Sequence, residues 1–454
     1  MNATSPLRTP SAGRRGSLLI IVLWVALGLV TLALYFGGGA RLAYQASANA
    51  LAGRQAEQAI EGAIRYALFV LDYQVEEGRR PLLEEGSYQP SAPLGEAAFW
   101  FIGRGAADDL TQTEPAWGLV DEASKLNLNT ATIEMLEALP NMTADLAAAI
   151  VDWRDADEEL SPGGAESTDY ETLDFAYSAK NGEFESIEEL RLVLGVDEMV
   201  LWGEDRNANG ILDPNENDGE ASWPPDNADG RLDAGLAEYV TVWTRQPNTD
   251  PDGEPRLNLR GDSVQQDLRQ MLVEQLDESK ANDVMARLGG RLGQIESPLE
   301  FLIESGLTPE EFARVEPYLT VGDGDYRVGL VNVCVAPAAV LACLPGMDES
   351  QAEALVAARR DLDPAALESI AWVAAVLEEE VAREVGPWIT AESWQFSLDI
   401  AAVGANGRGL RREWVVVDNE DQARVIYRRD RSRMGAPFDL SAARAQLKTI
   451  TTIN

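Results

Sequence analysis

The chain has 454 residues, with 76 Asp and Glu against 37 Lys and Arg and a formal net charge of −39. So acidic a surface repels nucleic-acid phosphates and anionic lipid, and it attracts divalent cations. Histidine is absent, which removes Ser-His and Cys-His catalysis and most catalytic zinc sites. No motif frames a carboxylate pair for glycoside hydrolysis, so we predict that the protein is not an enzyme.

The first predicted element is an apolar helix. Residues 17–40 carry no charge, and about 20 apolar residues at ~1.5 Å each cross a hydrocarbon core of ~30 Å. Arg8, Arg14 and Arg15 precede this stretch. The positive-inside rule therefore predicts a cytoplasmic N-terminus and places everything after residue 40 on the other side of the membrane.

The helical pattern continues beyond the apolar stretch. Glycines occupy residues 37–39 and would loosen a helix at the membrane boundary. Apolar residues then recur at helical spacing to about residue 74. We predict one long helix from about 17 to about 74, a membrane half followed by a soluble half.

The start of this helix resembles a type IV pilin-like protein, because Arg-Arg-Gly16 precedes Ser17 and an apolar run. The resemblance implies that a prepilin peptidase cuts after Gly16 and methylates the amine of Ser17. Most members carry glutamate as the fifth mature residue, where this chain has Ile21. That glutamate neutralises the buried amine of the subunit ahead, and a subunit with nothing ahead needs none. The K-type minor pseudopilin of type II secretion systems lacks it and sits at the tip.

Three later segments strengthen the resemblance to the K-type pseudopilin: residues 152–157, residues 164–166 with Tyr170, and residues 184–196 look like the large helical insertion of that family. The resemblance implies a subunit at the tip of the secretion pseudopilus, nucleating or capping its assembly and contributing to export across the outer membrane. The implied partners are other minor pseudopilins, the prepilin peptidase and the inner membrane, without nucleic acid. The implied location is a single pass through the inner membrane with most of the chain periplasmic.

Two segments, starting at Leu126 and Val331, align without a gap. Each reads as a short extended entry, a helix ending at Leu-Pro, a tight turn and a second helix. A third copy at Leu257 is weaker. This helix-hairpin-helix pattern is typical of DNA binders, in which a Gly-x-Gly hairpin offers backbone N–H groups to phosphate. The hairpins at 141–143 and 346–348 lack the second glycine, which favours a structural or protein-contact role. A membrane-anchored DNA-uptake receptor is the alternative.

The segment 157–233 holds 22 Asp and Glu against 4 Lys and Arg. Within it, residues 205–216 fit an oxygen-ligand calcium loop, with Gly210 at the turn. The predicted ligands are side chains at loop positions 1, 3 and 5, a carbonyl at 7, a water-mediated carboxylate at 9 and a bidentate carboxylate at 12: Asp205, Asn207, Asn209, Ile211, Asp213 and Glu216. An acidic surface turn is the alternative interpretation.

A degenerate second calcium loop follows at residues 226–233. Asp226, Asp229 and Asp233 are its candidate ligands, and Pro225 stands where the first ligand belongs. Calcium is therefore the predicted cofactor.

The chain has two cysteines, Cys334 and Cys343. The repeat places the first just before a helix and the second about two turns into it. Their Cα atoms would then lie roughly 10 Å apart, beyond the ~7 Å that a disulfide can bridge. We predict that they are not bonded to each other.

Strands are predicted near both ends of the chain. Alternating apolar residues indicate a half-buried strand at 394–400, a hairpin from 413–417 and 424–427, and an earlier pair at 98–102 and 117–120. Strands that flank a helical block imply that the block is inserted into a pilin-like core. We predict an α+β fold with a long N-terminal helix, an antiparallel sheet and an all-α insertion with helix-hairpin-helix-like repeats. The predicted boundaries are a leader at 1–16, a membrane helix at 17–40, pilin-like helix and strands at 41–125, the insertion with its calcium loop at 126–390, the last strands at 391–430 and a tail at 431–454.

Overall fold

A computed structural model describes residues 15–76, 92–104, 110–114, 116–261 and 264–440. Its first element is helix α1, Arg15–Glu76, so the long helix is confirmed. The helix runs unbroken through the glycines at 37–39, because helix formation is cooperative and each glycine costs only about 1 kcal/mol. Among the described residues, the segment Leu18–Tyr73 is the one long and apolar enough to cross a membrane. Most of the predicted leader lies outside the described residues.

Three strands follow α1. They are β1 (Ala92–Leu94), β2 (Ala97–Ile102) and the short β3 (Val120–Asp121). The predicted strand at 117–120 is reduced to an isolated bridge between Trp117 and Ile102 and the two residues of β3. The chain then enters the inserted block.

The inserted block, residues 126–390, contains short helices and very short strands. Its helices are α2 (Ile133–Glu137), α3 (Ala144–Arg154), α4 (Ser167–Tyr170), α5 (Glu198–Trp202), α6 (Leu236–Tyr239), α7 (Val264–Gln275), α8 (Glu278–Leu288), α9 (Pro298–Ser305), α10 (Pro309–Val315), α11 (Ala338–Leu341), α12 (Glu349–Arg360), α13 (Val373–Val376) and α14 (Glu379–Val385). Its strands are β4 (Leu126–Asn127), β5 (Val240–Thr241), β6 (Arg245–Pro247), β7 (Leu257–Asn258), β8 (Leu319–Thr320), β9 (Tyr326–Val328), β10 (Val331–Asn332) and β11 (Ile389–Thr390). The strands form four two-stranded sheets, so the expectation of an all-α insertion is wrong.

The block follows one chain path three times. In each copy the entry strand pairs in parallel with an exit strand, β4 with β5, β7 with β8 and β10 with β11. Between the two strands lies a pair of helices joined by a turn, α2–α3, α7–α8 or α11–α12. An asparagine at the end of each entry strand donates to the side chain three residues beyond the exit strand: Asn127 to Thr244 (2.7 Å), Asn258 to Asp323 (2.5 Å) and Asn332 to Ser393 (2.7 Å).

This threefold path includes the copy at Leu257, where the sequence pattern is weak. The physical reason for the weakness is that closure depends on two strand residues and one asparagine, and the helices between them are free to differ. The assignment of these helix pairs as helix-hairpin-helix modules stays a prediction, because a shared chain path does not decide what the hairpins contact.

The chain returns to the sheet through three long strands, β12 (Gln395–Gly404), β13 (Arg408–Asp418) and β14 (Arg424–Asp430). The sheet is antiparallel, with order β1-β2-β12-β13-β14, and β3 pairs with β12. The expectation of a half-buried β12 is wrong, since the whole strand is buried. Helix α1 covers the face that carries Phe396, Leu398 and Ile400, and other segments cover the opposite face.

The sheet and the inserted block pack together through aromatic side chains. Trp243 of the block lies with its ring centroid 5.2 Å from Trp414 on β13 and 5.1 Å from Tyr427 on β14. Trp414 also belongs to the main apolar core of the block. The two parts therefore share one apolar junction.

Both cysteines are free thiols, as predicted. The predicted helix placement is wrong, because α11 ends at Leu341 and Cys343 lies beyond it. The Sγ atom of Cys343 donates to the carbonyl of Ala339 at 3.0 Å, and burial raises the pKa of this thiol to about 12. A thiol so reluctant to ionise is unreactive, which suits a packing role in the third copy.

Candidate cation-binding centres

The first predicted calcium loop begins directly after α5. The carboxylate of Asp205 accepts from the amides of Asn209 (3.0 Å) and Gly210 (2.8 Å). Glu216, in a 3₁₀ turn at Pro214–Glu216, accepts from the amides of Arg206 (3.3 Å) and Asp213 (3.0 Å). Both charged ends of the loop are buried. No helix follows until α6 among these described residues, so the loop is not part of a helix–loop–helix pair.

The middle of the first loop is held by amide side chains. Asn207 and Asn209 both donate through Nδ2 to one oxygen of Asp213, at 2.7 Å and 3.1 Å. The Oδ1 atom of Asn209 accepts from the amide of Ile211 at 3.0 Å. The Oδ1 atom of Asn207 is buried and has no hydrogen-bond partner. A buried oxygen without a donor at a predicted ligand position fits a cation.

The electrostatics of the first loop also favour a cation. Burial, and then the neighbouring Asp205, raise the pKa of Glu216 to about 8. Burial raises the pKa of Asp205 as well, although Arg104 opposes that shift. Carboxylates that resist ionisation in this way are stabilised by a nearby divalent charge. The predicted ligands of this loop are thus linked by hydrogen bonds around the buried Ile211. Their oxygen atoms are of the kind that calcium binds.

The second predicted loop repeats the hydrogen bonds of the first. Asn227 donates to Asp233 at 3.0 Å, as Asn207 does to Asp213. Asp229 accepts from the amide of Arg231 at 2.8 Å, as Asn209 does from Ile211. The residues before and at the turn also have matching positive φ angles: Ala208 +51°, Gly210 +71°, Ala228 +53° and Gly230 +79°.

A distant glutamate closes the second loop. Glu204, which is 5% exposed, accepts from the amide of Asp233 at 3.1 Å. Glu216 makes the same contact with the amide of Asp213 in the first loop. The closing carboxylate of the second loop is therefore Glu204, the residue that precedes the first loop. A calcium-loop motif includes only consecutive residues, so it cannot predict this contact.

The first ligand position of the second loop is filled in the same way. Asn217 accepts through Oδ1 from the amide of Gly230 at 3.1 Å, as Asp205 does from Gly210. The structure gives Asp226 a different role, because its carboxylate accepts from the amides at 218 and 219 and from Ala228. The two neighbouring residue pairs, 204–205 and 216–217, thus each serve both loops.

A third acidic centre lies outside both loops. Oxygen atoms of Asp152, Asp155 and Glu166 lie within 4.8 Å of one another. Asp152 is 0% and Glu166 is 3% exposed, and neither oxygen of Glu166 accepts a hydrogen bond. Burial, and then the charge of Asp152, raise the pKa of Glu166 to about 7. Buried carboxylates without donors need a proton or a cation.

The sequence contains an indication of this third centre, although it matches no known metal-binding motif. Asp152 lies in the last turn of α3, and Asp155 is the residue that follows the helix. Gly164 lets the following chain approach, because a Cβ there would lie 1.9 Å from an Asp152 oxygen. Glu166 comes two residues later. Among the described residues, the cluster of Asp152, Asp155 and Glu166 brings three acidic side chains together most closely.

Arginines attach the first loop to the sheet. Arg412 on β13 pairs with Asp399 on β12 through two contacts, 2.7 Å and 2.6 Å, and donates to the carbonyls of Asn207 and Ala208. Arg104 donates to the carbonyl of Ala208 at 3.4 Å. The backbone of the loop is therefore fixed by guanidinium groups from the sheet.

The segment that runs from just before β3 to the end of α5 is similar to a known family. Residues 119–202 match the family model described as Type II secretion system (T2SS), protein K. This segment is therefore similar to the type II secretion system protein K family. It contains the helix pair α2–α3 of the first copy and the third acidic centre, and it ends two residues before Glu204.

Two further comparisons concern the chain as a whole. The chain is similar to the crystal structure of the GspK-GspI-GspJ complex from the Type 2 Secretion System of enterotoxigenic Escherichia coli, with 11% identity, coverage of 86% of this chain and 99% of that chain, and a TM-score of 0.42. So distant a similarity carries no argument by itself. No curated protein matches the chain.

The predicted processing residues, Gly16 and Ser17, lie in the first turn of α1. Cleavage between them stays a prediction, since the backbone position of a helix start does not identify a peptidase site.

Proposed function

We propose that this chain is a minor pseudopilin of a type II secretion system and acts at the tip of the pseudopilus, where it nucleates or caps assembly and contributes to protein export. The main support for this proposal is the match of residues 119–202 to the protein K family. The apolar α1 supports it, because a helix that can cross a membrane and also packs on the sheet joins anchor and subunit body in one element. This role requires no catalysis.

The soluble half of α1 has the two faces that such a subunit needs. Its small residues, including Ala56, Ala59 and Ala63, are buried against the sheet. One flank of this half exposes the stacked rings of Phe69 and Tyr73, with Phe69 65% exposed. Exposed aromatic side chains at helical spacing favour contact with another helix. We propose other minor pseudopilins as the partners of this face.

Crosslinking of the full-length chain in membranes that hold its candidate partners tests this role. The chain should be recovered with pilin-like proteins, and Phe69→Ala should reduce that recovery severalfold. Phe175→Ala is the matched control, because Phe175 is also exposed but lies in the inserted block. Recovery of nucleic acid instead of pilin-like proteins would contradict the proposal.

The processing and membrane orientation follow from the same proposal. The mature chain should begin at Ser17 with a methylated amine after prepilin peptidase has acted on Gly16, leaving the bulk of the chain in the periplasm. Mass spectrometry of the mature N-terminus is the measurement. A chain that begins near residue 40 would indicate an ordinary secretory signal.

The alternative DNA-uptake role has no support from the hairpins. A Cβ at Gly346 would lie 2.4 Å from an oxygen of Glu384, so a carboxylate lies against the second hairpin. Asp348 accepts from the amide of Gln351 as a helix cap, and Thr143 does the same for Leu146 in the first hairpin. These groups place acidic and capped atoms where a phosphate would have to bind.

We also propose that the two loops bind calcium. The buried, unpartnered Oδ1 of Asn207 supports the first site, whose ligands are those predicted from the sequence. The repeated hydrogen bonds support the second site, whose side-chain ligands would be Asn217, Asn227, Asp229, Asp233 and Glu204. Bound calcium would neutralise these carboxylates, and the chain's own residues would supply only oxygen atoms.

Titration calorimetry of the full-length protein tests both loops. Two calcium equivalents should bind in the loops, Glu216→Ala should weaken one and Glu204→Ala the other, by tenfold or more because each removes a charged bidentate ligand. Glu220→Ala, an exposed change in the same segment, is the control. If Glu204→Ala leaves calcium binding unchanged, the second site is not completed by Glu204.

A further inference from the structure

The chain that follows β14 crosses the first calcium loop. We call residues 435–439 the strap. The carbonyl of Pro437 accepts from Asn209 Nδ2 at 3.1 Å, and the carbonyl of Ala436 accepts from Asn207 Nδ2 at 3.4 Å. The strap thus rests on the side chains at loop positions 3 and 5.

The other end of the strap is anchored on the sheet. The ring of Phe438 lies 4.9 Å from that of Trp100 on β2 and 5.8 Å from that of Trp117. These rings belong to a small apolar cluster on the sheet face opposite α1. Gly435, at the start of the strap, has φ +103°, which a residue with a side chain adopts only with strain. The strap therefore has a bend at one end and an aromatic anchor at the other.

Each of these asparagines has two functional ends. An asparagine offers one oxygen acceptor and an NH₂ group with two donors. If the oxygen of Asn207 or Asn209 binds a cation, the NH₂ group of the same side chain bridges Asp213 in the loop and a carbonyl of the strap. The same rotamer therefore serves the ion and the strap.

Loss of the ion would disturb both ends together. The carboxylates of Asp205, Asp213 and Glu216 lie in one short loop and repel one another without a cation. As the loop relaxes, the amide groups lose the orientation that points them at the strap. The strap would then lose these two hydrogen bonds, while the aromatic contacts of Phe438 would remain.

We propose that the strap is a calcium-dependent closure: calcium in the first loop fixes the Asn207 and Asn209 side chains so that they hold residues 435–439 over the sheet, and calcium removal releases the strap and uncovers the Trp100 face. This inference rests on the proposed calcium binding of the first loop. Coupling between two binding events is reciprocal, so a docked strap must also strengthen calcium binding.

Hydrogen exchange of the full-length protein measures the closure. Amides of residues 435–439 should exchange about tenfold more slowly with calcium than with chelator, which corresponds to about 1.4 kcal/mol and is the scale of one or two hydrogen bonds. Magnesium at the same concentration should protect the strap less, because its small octahedral shell suits this loop poorly. Equal exchange in calcium and chelator overturns the proposal.

Phe438→Ala tests the reciprocal effect, since Phe438 is not a predicted calcium ligand. The variant should speed exchange of the strap in both conditions and weaken calcium binding to the first loop severalfold by calorimetry. Phe175→Ala is the matched control and should change neither quantity. Unchanged calcium affinity in Phe438→Ala overturns the coupling.

Calorimetry separates the two possible failures. If the unmodified protein binds no calcium, the proposed calcium function fails and the strap mechanism fails with it. If calcium binds as expected but strap exchange ignores it, the calcium function stands and the strap proposal alone is wrong.

Discussion

The sheet and the inserted block bury carboxylates in opposite ways. Asp399 in the sheet is fully enclosed, and although burial works to raise its pKa, the guanidinium groups of Arg412 and Arg431 hold that pKa below its ordinary value. Glu216 and Glu166 in the block are equally enclosed, yet burial raises their pKa values to about 8 and about 7. The buried carboxylate of the sheet thus has arginine partners, whereas no basic group lowers the pKa of these two carboxylates of the block.

Because of this difference, we expect the stability of the sheet to be independent of calcium and that of the inserted block to depend on it. An internal arginine is always charged, so the sheet does not depend on the solution around it. With calcium bound as we propose, the block would take part of its stability from the calcium concentration of the surrounding solution. Asp121 of β3 shows a third solution, because burial raises the pKa of its carboxyl group to about 7.

The largest expected effect comes from removing the arginine that pairs with the buried Asp399. Arg412→Ala leaves the buried Asp399 with Arg431 alone and removes the donors to two loop carbonyls. Breaking a buried ion pair costs about 3–5 kcal/mol, so the free energy of unfolding should fall by that amount with calcium or with chelator. Denaturant titration is the measurement.

Arg428→Ala is the matched control for that change. Arg428 pairs with Glu61 and Glu413 at the surface, and exposed ion pairs contribute about 0–1 kcal/mol. A loss in Arg412→Ala that is no larger than in Arg428→Ala would show that Asp399 does not need its arginine partner.

Calcium removal is expected to have the next largest effect. A ligand at 100 times its Kd stabilises the folded state by about 2.7 kcal/mol per site, so chelator should lower the melting temperature of the inserted block and leave the sheet folded. Glu216→Ala should lose that calcium-dependent increment. Scanning calorimetry with circular dichroism measures both, and a melting temperature that ignores chelator would show that the loops are only acidic turns.

Much of this contrast is visible in the sequence, and the reason for the rest is physical. The helix α1 and the first loop are local patterns, in which each residue's role follows from its neighbours. Glu204 and Asn217 are not local, because they complete the second loop across a fold that the sequence does not display. The burial of β12 on both faces was missed for the same reason, since its second cover comes from the inserted block and from residues after β14.

The buried carboxyl group of Asp121 gives a pH-dependent test. Burial, opposed by the hydroxyl of Ser393, raises its pKa to about 7, against about 3.9 in an unfolded chain. Between these values the folded state holds one more proton, so this group's contribution to stability is complete below pH 4 and is lost as pH rises through 7.

Asp121→Asn should remove that slope, which is at most about 1.4 kcal/mol per pH unit for one proton. The free energy of unfolding, measured from pH 5 to 8 at fixed calcium, should fall less steeply with pH in the variant than in the parent protein. Asp174→Asn, an exposed change, is the control. Parallel curves for Asp121→Asn and the parent would mean that Asp121 is ionised in the folded protein.

The smallest expected effect is a change in stability that should have opposite signs in chelator and in calcium. Glu166→Gln keeps the shape of the side chain but removes one charge from the cluster with Asp152 and Asp155. In chelator the variant should be more stable than the parent by about 1 kcal/mol, because like charges in a buried site repel. In calcium the order should reverse, because the cluster has lost a charged ligand. Thermal unfolding in both buffers gives the two differences. A variant that is less stable than the parent in chelator as well would show that Glu166 is held by contacts within the protein, in which case the block resembles the sheet at this centre and the contrast between them fails there.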